Sequence, residues 1–179
     1  MSISLRDKRT QRICLDALLV AFAMMLSYLE VLLPLTAWIP LPGFRLGLAN
    51  LAVTVTFFLL SPVDAAVVSA LRILLMGVLF GSATSLYFSV LGGLLSFLAL
   101  ILCAKFAKRC SLCGVSVLCA AAHNVGQILA ASTLFGKYLI FSYLPWLLVS
   151  AVVCGATVGL LLNLTLPRLA HILERRRGT

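Results

Sequence analysis

Apolar residues run in six long blocks along this chain, separated by short clusters of proline, glycine or charge. A helix that crosses a bilayer needs about 20 predominantly apolar residues, somewhat fewer where protein shields it. The blocks predict spans at about 13–33, 46–60, 64–80, 85–104, 114–135 and 143–166. Span one stops before Pro34, Trp38 and Pro40, which suit an interfacial loop. Span two ends at Ser61-Pro62, a tight turn with Asp64 placed near the start of the next helix. Gly81 and Ser82 close span three, the Lys105–Arg109 cluster stops span four, and Gly136-Lys137 ends span five. Pro167 and a basic tail follow span six. Spans two and three are short and joined by very few residues, which predicts a tight helical hairpin. The expected architecture is an all-α integral membrane protein, a single transmembrane domain of six helices over residues 1–179.

Composition changes the choice of solvent. The chain is 63% hydrophobic and only 11% charged, with a mean hydropathy of +1.15. One aqueous core cannot hide that many apolar side chains, so the medium is lipid. Basic residues, an apolar stretch and Ala21-Phe22-Ala23 imitate a cleavable signal. The apolar run continues well past them, and a retained first helix is expected.

Charge then sets the topology. The net charge is +9, and eleven of the fourteen basic residues lie at the ends of spans. Arg6, Lys8, Arg9 and Arg12 precede span one; Lys105, Lys108 and Arg109 fill the gap after span four; Arg168 and Arg175 to Arg177 follow span six. Six spans put all three clusters on one side, and the positive-inside rule makes that side, with both termini, cytoplasmic. The expected location is the cell membrane. Aromatic and basic residues are not interleaved as base stacking requires, so nucleic acid is not an expected partner. The six cysteines do not form a secreted disulfide framework. Cys110 and Cys113 have metal or redox spacing without a second pair or a histidine nearby, and no metal or cofactor is expected.

Small residues mark close helix contacts in lipid. Ala17 with Ala21, the stripe Ser85, Ser89, Gly92 and Ser96, and Gly155 with Gly159 all have that spacing. Each suits packing within the bundle; Ala17 and Ala21 also suit docking of another membrane subunit.

The candidate chemistry lies in the polar residues that remain inside spans, where an ionisable group costs about 2.5–3.5 kcal/mol at the centre. They are Glu30 in span one, Arg45 and Asn50 entering span two, Arg72 in span three, and His123, Asn124 and Gln127 in span five. The topology puts all seven in the middle or outer half of the membrane, where a bundle can gather them around one outward-facing pocket, with Tyr87 of span four as a wall residue. His123 and Gln127 share a helix face at i, i+4. Bland roles stand beside this one. Arg45 can snorkel to the interface, Glu30 can partner an arginine, and Asn124 and Gln127 can bond helices together. Two arginines against one glutamate leave the set net positive, which favours an anionic or amphiphilic small molecule. Arg45 and Asn50 lie five residues apart, roughly 140° around a helix at about 100° per residue. Asn50 is the expected inward group and Arg45 the gate or interface anchor.

The stretches Pro42-Gly-Phe-Arg-Leu-Gly-Leu-Ala-Asn-Leu51, Val67 to Ser82 and Ala121-Ala-His-Asn-Val-Gly-Gln-Ile-Leu-Ala-Ala131 resemble the Gx transporter family, also labelled heptaprenyl diphosphate synthase component I. The similarity covers about Ala17 to Leu162. That family is grouped with the S components of energy-coupling factor transporters. The resemblance implies six helices with cytoplasmic termini and a substrate-binding pocket. It also implies a coupling subunit with two ATPases, docked on an alanine pair such as Ala17 and Ala21. The second family label implies instead an accessory component of polyprenyl diphosphate or quinone metabolism. A synthase holds magnesium on clustered aspartates, yet Asp7, Asp16 and Asp64 are the only aspartates and none is near another in sequence. There is no GxxxxGK[ST] loop for ATP either, so autonomous synthase or ATPase chemistry is not expected. A structural subunit without ligand is the third alternative.

Overall fold

The computed structural model describes residues 5–32, 47–106, 111–136 and 138–177. Its elements are α1 (Leu5–Leu32), α2 (Asn50–Leu59), α3 (Pro62–Phe80), α4 (Ala83–Phe106), α5 (Leu112–Phe135) and α6 (Tyr138–Arg177). Among the described residues there is no strand. Five of the helices are long and apolar enough to cross a membrane.

The exception is α2, whose ten residues measure about 15 Å, half of a bilayer core of about 30 Å. The expected second span, 46–60, is therefore shorter as a helix. Leu51, Ala52, Val53, Thr54, Val55 and Thr56 are all buried, so protein surrounds the first turns of α2, while Phe58 nearer its end is exposed. A helix whose surface is mostly covered by protein has little bilayer thickness to match. A turn precedes it: Gly47 adopts φ +81, a conformation that glycine enters without a Cβ penalty, and its carbonyl accepts the Asn50 N–H at 2.9 Å.

The break between α2 and α3 follows the local chemistry of Ser61-Pro62. Ser61 is extended, its Oγ accepts the Asp64 N–H at 3.2 Å, and Pro62 takes the first helical position, where the missing N–H is not needed. Arg12 of α1 closes the same knot. Its Nη2 lies 2.6 Å from Asp64 Oδ2 and donates to Ser61 Oγ at 3.0 Å. Ser61→Ala is expected to cost about 1 kcal/mol, the usual loss of an N-cap, seen as a lower melting temperature; an unchanged melt would show that the cap carries no stability.

Side-chain contacts fix the directions. Arg12 meets Asp64, Ser27 meets Arg72 and the Tyr28 ring packs tilted against Phe80, so α1 and α3 run parallel. Gly77 lies against Leu86 and Gly93 against Ile73, which makes α4 antiparallel to α3. Tyr87 bonds Thr133 and Gly92 abuts His123, so α5 reverses again. Asn124 bonds Leu147 O while Gly155 rests on Val117 and Gly159 on Cys113, so α6 returns antiparallel to α5. The start of α1, the end of α4 and the end of α6 therefore share one end of the bundle. Arg12, Lys105, Arg168 and Arg175 to Arg177 gather there; Lys108, Arg109, Cys110 and Lys137 lie outside the described residues, as does the loop with Pro34, Trp38 and Pro40.

Pro167 does not end the last helix. α6 runs for 40 residues through both Pro145 and Pro167, against an expected end near 166. A proline frees the carbonyl four residues earlier, here that of Asn163, and Asn163, Pro167 and Arg168 are exposed at the basic end. Water can satisfy that group there, so the helix continues. The Gly155 and Gly159 pair packs inside the bundle: a Cβ on either would lie 2.5–2.6 Å from the α5 backbone.

Candidate functional site

Two three-helix halves meet at a seam, α1–α3 on one side and α4–α6 on the other. A small polar cavity lies in it, lined from the first half by Ser27, Glu30, Gly47, Arg72, Ile73 and Met76, and from the second by Ser89 and His123. It is near the end of the bundle opposite the basic clusters, where Glu30 sits one turn from the end of α1. As it stands it leaves room for roughly one water molecule.

Each polar wall residue is placed by its own helix. Ser27 and Glu30 are i, i+3 on α1 and both are buried, so they share a face. Glu30 Oε1 accepts the backbone N–H of Leu48, tying the end of α1 to the turn before α2. Free N–H groups and the positive end of the helix dipole make a helix start a favourable place for a carboxylate. Arg72 is 6% exposed, in the middle of α3, and its Nη1 reaches Ser27 Oγ at 3.4 Å. Ser89 Oγ donates to the carbonyl of Ser85 at 2.8 Å, so its hydroxyl proton is engaged and its lone pairs remain acceptors toward the cavity.

His123 closes the wall from α5. Its Nε2 lies 3.2 Å from the amide nitrogen of Gln127, one turn further along. With that nitrogen donating, Nε2 holds the lone pair and Nδ1 the proton. Gln127 Oε1 is then buried without a hydrogen-bond partner among the described residues. Turning the amide over presents Oε1 to an Nε2–H instead, so the pair accommodates either tautomer.

The sequence-predicted residues thus divide. Glu30, Arg72 and His123 meet at the cavity, with Gln127 behind His123. Asn50 is half-buried and borders Gly47, where a Cβ would lie 3.1 Å from Asn50 Nδ2. Asn124 faces the other way: its Nδ2 donates to Leu147 O at 2.7 Å and Ser150 Oγ at 3.1 Å, joining α5 to α6. Tyr87 is 38% exposed, bonds Thr133 Oγ1 and is not part of the cavity lining. Arg45 lies outside the described residues. Ala17 and Ala21 are on α1, both exposed, beside the exposed Leu18 and Met25. Among the described residues no group of three histidine, cysteine, aspartate or glutamate side chains is arranged to hold a metal.

Ser27 and Ser89 are functional candidates beyond the sequence-predicted set. Ser27 had a signal, its i, i+3 relation to Glu30; Ser89 belongs to the small stripe of α4, whose spacing speaks only of packing.

A family model described as heptaprenyl diphosphate synthase component I matches residues 19–165. No curated protein and no solved structure matches the chain.

Proposed function

Since the chain belongs to the heptaprenyl diphosphate synthase component I family, a Gx transporter-like family, we propose that it is a membrane substrate-binding or transport protein resembling an S component, which takes a small anionic or amphiphilic molecule at the seam cavity. The observation that carries this reading is the convergence of Ser27, Glu30, Arg72, Ser89 and His123 on one cavity. Polar groups are expensive in a bilayer and normally face protein, water or a ligand. Arg72 supplies a forked cation suited to a carboxylate or phosphate, and Glu30 is engaged with a backbone N–H.

Under this proposal the basic end is cytoplasmic by the positive-inside rule, α2 with its turn counts as a sixth, largely protein-covered span, and the cavity belongs to the outer half of the membrane. Binding anything larger than a few atoms requires the two halves, or the turn at Gly47, to move apart. Energy would come from a membrane coupling subunit with two ATPases, docked on the face of α1 that carries Ala17 and Ala21.

The family description favours one alternative, an accessory membrane component of heptaprenyl diphosphate synthesis acting beside another synthase component. Asp16 and Asp64 lie toward the basic end of α1 and α3, far along the helices from the cavity, so magnesium-dependent chain elongation would belong to the partner.

Native mass spectrometry of protein purified gently in lipid separates these readings. A bound, vitamin-like anionic mass is expected. A polyprenyl phosphate would transfer support to the alternative, and protein that carries no small molecule from any growth condition would count against a ligand site.

A further inference from the structure

The ring of His123 lies directly against a glycine of the neighbouring helix. A Cβ placed on Gly92 of α4 would lie 2.8 Å from Cε1, 2.9 Å from Nδ1 and 3.1 Å from Nε2 of the imidazole, closer than carbon and nitrogen atoms tolerate without moving. Two neighbours limit where the ring can go. Gln127 stands 3.2 Å from Nε2. Behind the ring α5 cannot move closer to α4, because Gly126 already presses on Leu91 and Gly92: its own Cβ would be 2.5 Å from Leu91 O and 2.7 Å from Gly92 Cα. On its other side the ring lines the cavity.

We propose that Gly92 is the positioning residue that sets how far His123 projects into the seam cavity, and thereby the width of the anion the site admits. This rests on the cavity being the binding site. Gly92 touches no ligand itself. By having no side chain it lets the imidazole lie back against α4, which leaves the cavity beside His123, Arg72 and Ser89 free to widen around a carboxylate or phosphate group when the site opens. Any side chain at position 92 drives the ring across that space.

The test uses the full chain in lipid nanodiscs with Ser89→Cys as the reporter and the anionic reagent sulfonatoethyl methanethiosulfonate as the probe, the added label counted by intact mass over the native thiols. Ser89→Cys alone is expected to be modified. Adding Gly92→Ala should slow modification about tenfold or more, as an overpacked site does. Adding Gly92→Ala together with His123→Ala should restore the rate, because the ring it displaces is gone. An equal rate with and without Gly92→Ala, or an equal slowing in the His123→Ala background, would overturn the positioning role while leaving the binding cavity standing. No modification in any background would remove the cavity as a binding site and the proposal with it. If Gly92→Ala melts too low to assay, its melting temperature carries the same test: His123→Ala should rescue it, and failure to rescue overturns the proposal.

Discussion

Gly126→Ala is expected to be among the most damaging single-methyl changes in the bundle. The added carbon would sit 2.5 Å from Leu91 O, 2.7 Å from Leu91 C and 2.7 Å from Gly92 Cα. All three are backbone atoms of α4, so no rotamer can make room and the two helix axes must separate. In lipid, close backbone approach is much of what holds helices together. Separation here also loosens the packing of Phe88 against Ala130 and Ala131 and releases His123. Overpacking of this kind costs about 1–3 kcal/mol, and more where the backbone must shift. Gly114→Ala is the matched control. It lies on the same helix, and its Cβ would meet only Ser111 Oγ at 3.5 Å, an ordinary contact. Alanine there should be neutral or stabilising by up to about 1 kcal/mol, since glycine is the poorer helix former. Thermal melts of the two variants in one lipid decide the matter. If Gly126→Ala melts no lower than Gly114→Ala, the α4–α5 register is wrong.

Much of this bundle was legible because lipid simplifies the code. Residues such as Ser61-Pro62, Gly81 and Gly136 stop helices by local chemistry, and those boundaries stand where the residues place them. Glu30, Arg72 and His123 were legible as a group because a bilayer makes each one expensive alone. Other features depend on what surrounds a helix, which an apolar run does not record. The 46–60 run reads the same whether lipid or protein encloses it, so the ten-residue length of α2 was hidden. Height along the bundle was readable, but direction around the axis was not. Tyr87 lies toward the cavity end of α4 and bonds Thr133, and Asn124 points to α6. For Asn124 the hint was present: one residue from His123 means about 100° of rotation, too far for both to face one cavity. Pro167 misled because its effect depends on whether water reaches the carbonyl it frees.

Arg72→Ala is the change expected to affect ligand binding most. Arg72 is the described cation among the cavity walls, and it is buried in the middle of α3. Without it, Glu30 leaves the cavity with a negative balance, and an anion meets repulsion where it met a guanidinium. Truncating one side of a buried, hydrogen-bonded charge contact costs about 2–5 kcal/mol, a weakening of roughly thirtyfold to several-thousandfold at about 1.4 kcal/mol per tenfold. The fold should survive, because the helix contacts at Ile73, Gly77 and Gly93 do not depend on the Arg72 side chain. Arg72→Lys separates charge from shape. It keeps a cation but loses the planar fork, so it should recover part of the affinity for a carboxylate or phosphate and none of the bidentate selectivity. The measurement is retention of the co-purified mass in native spectra of wild type, Arg72→Lys and Arg72→Ala, with melting temperatures alongside. A bound mass retained equally by all three folded proteins would place the ligand elsewhere and leave the polar cluster a structural lock between the two halves.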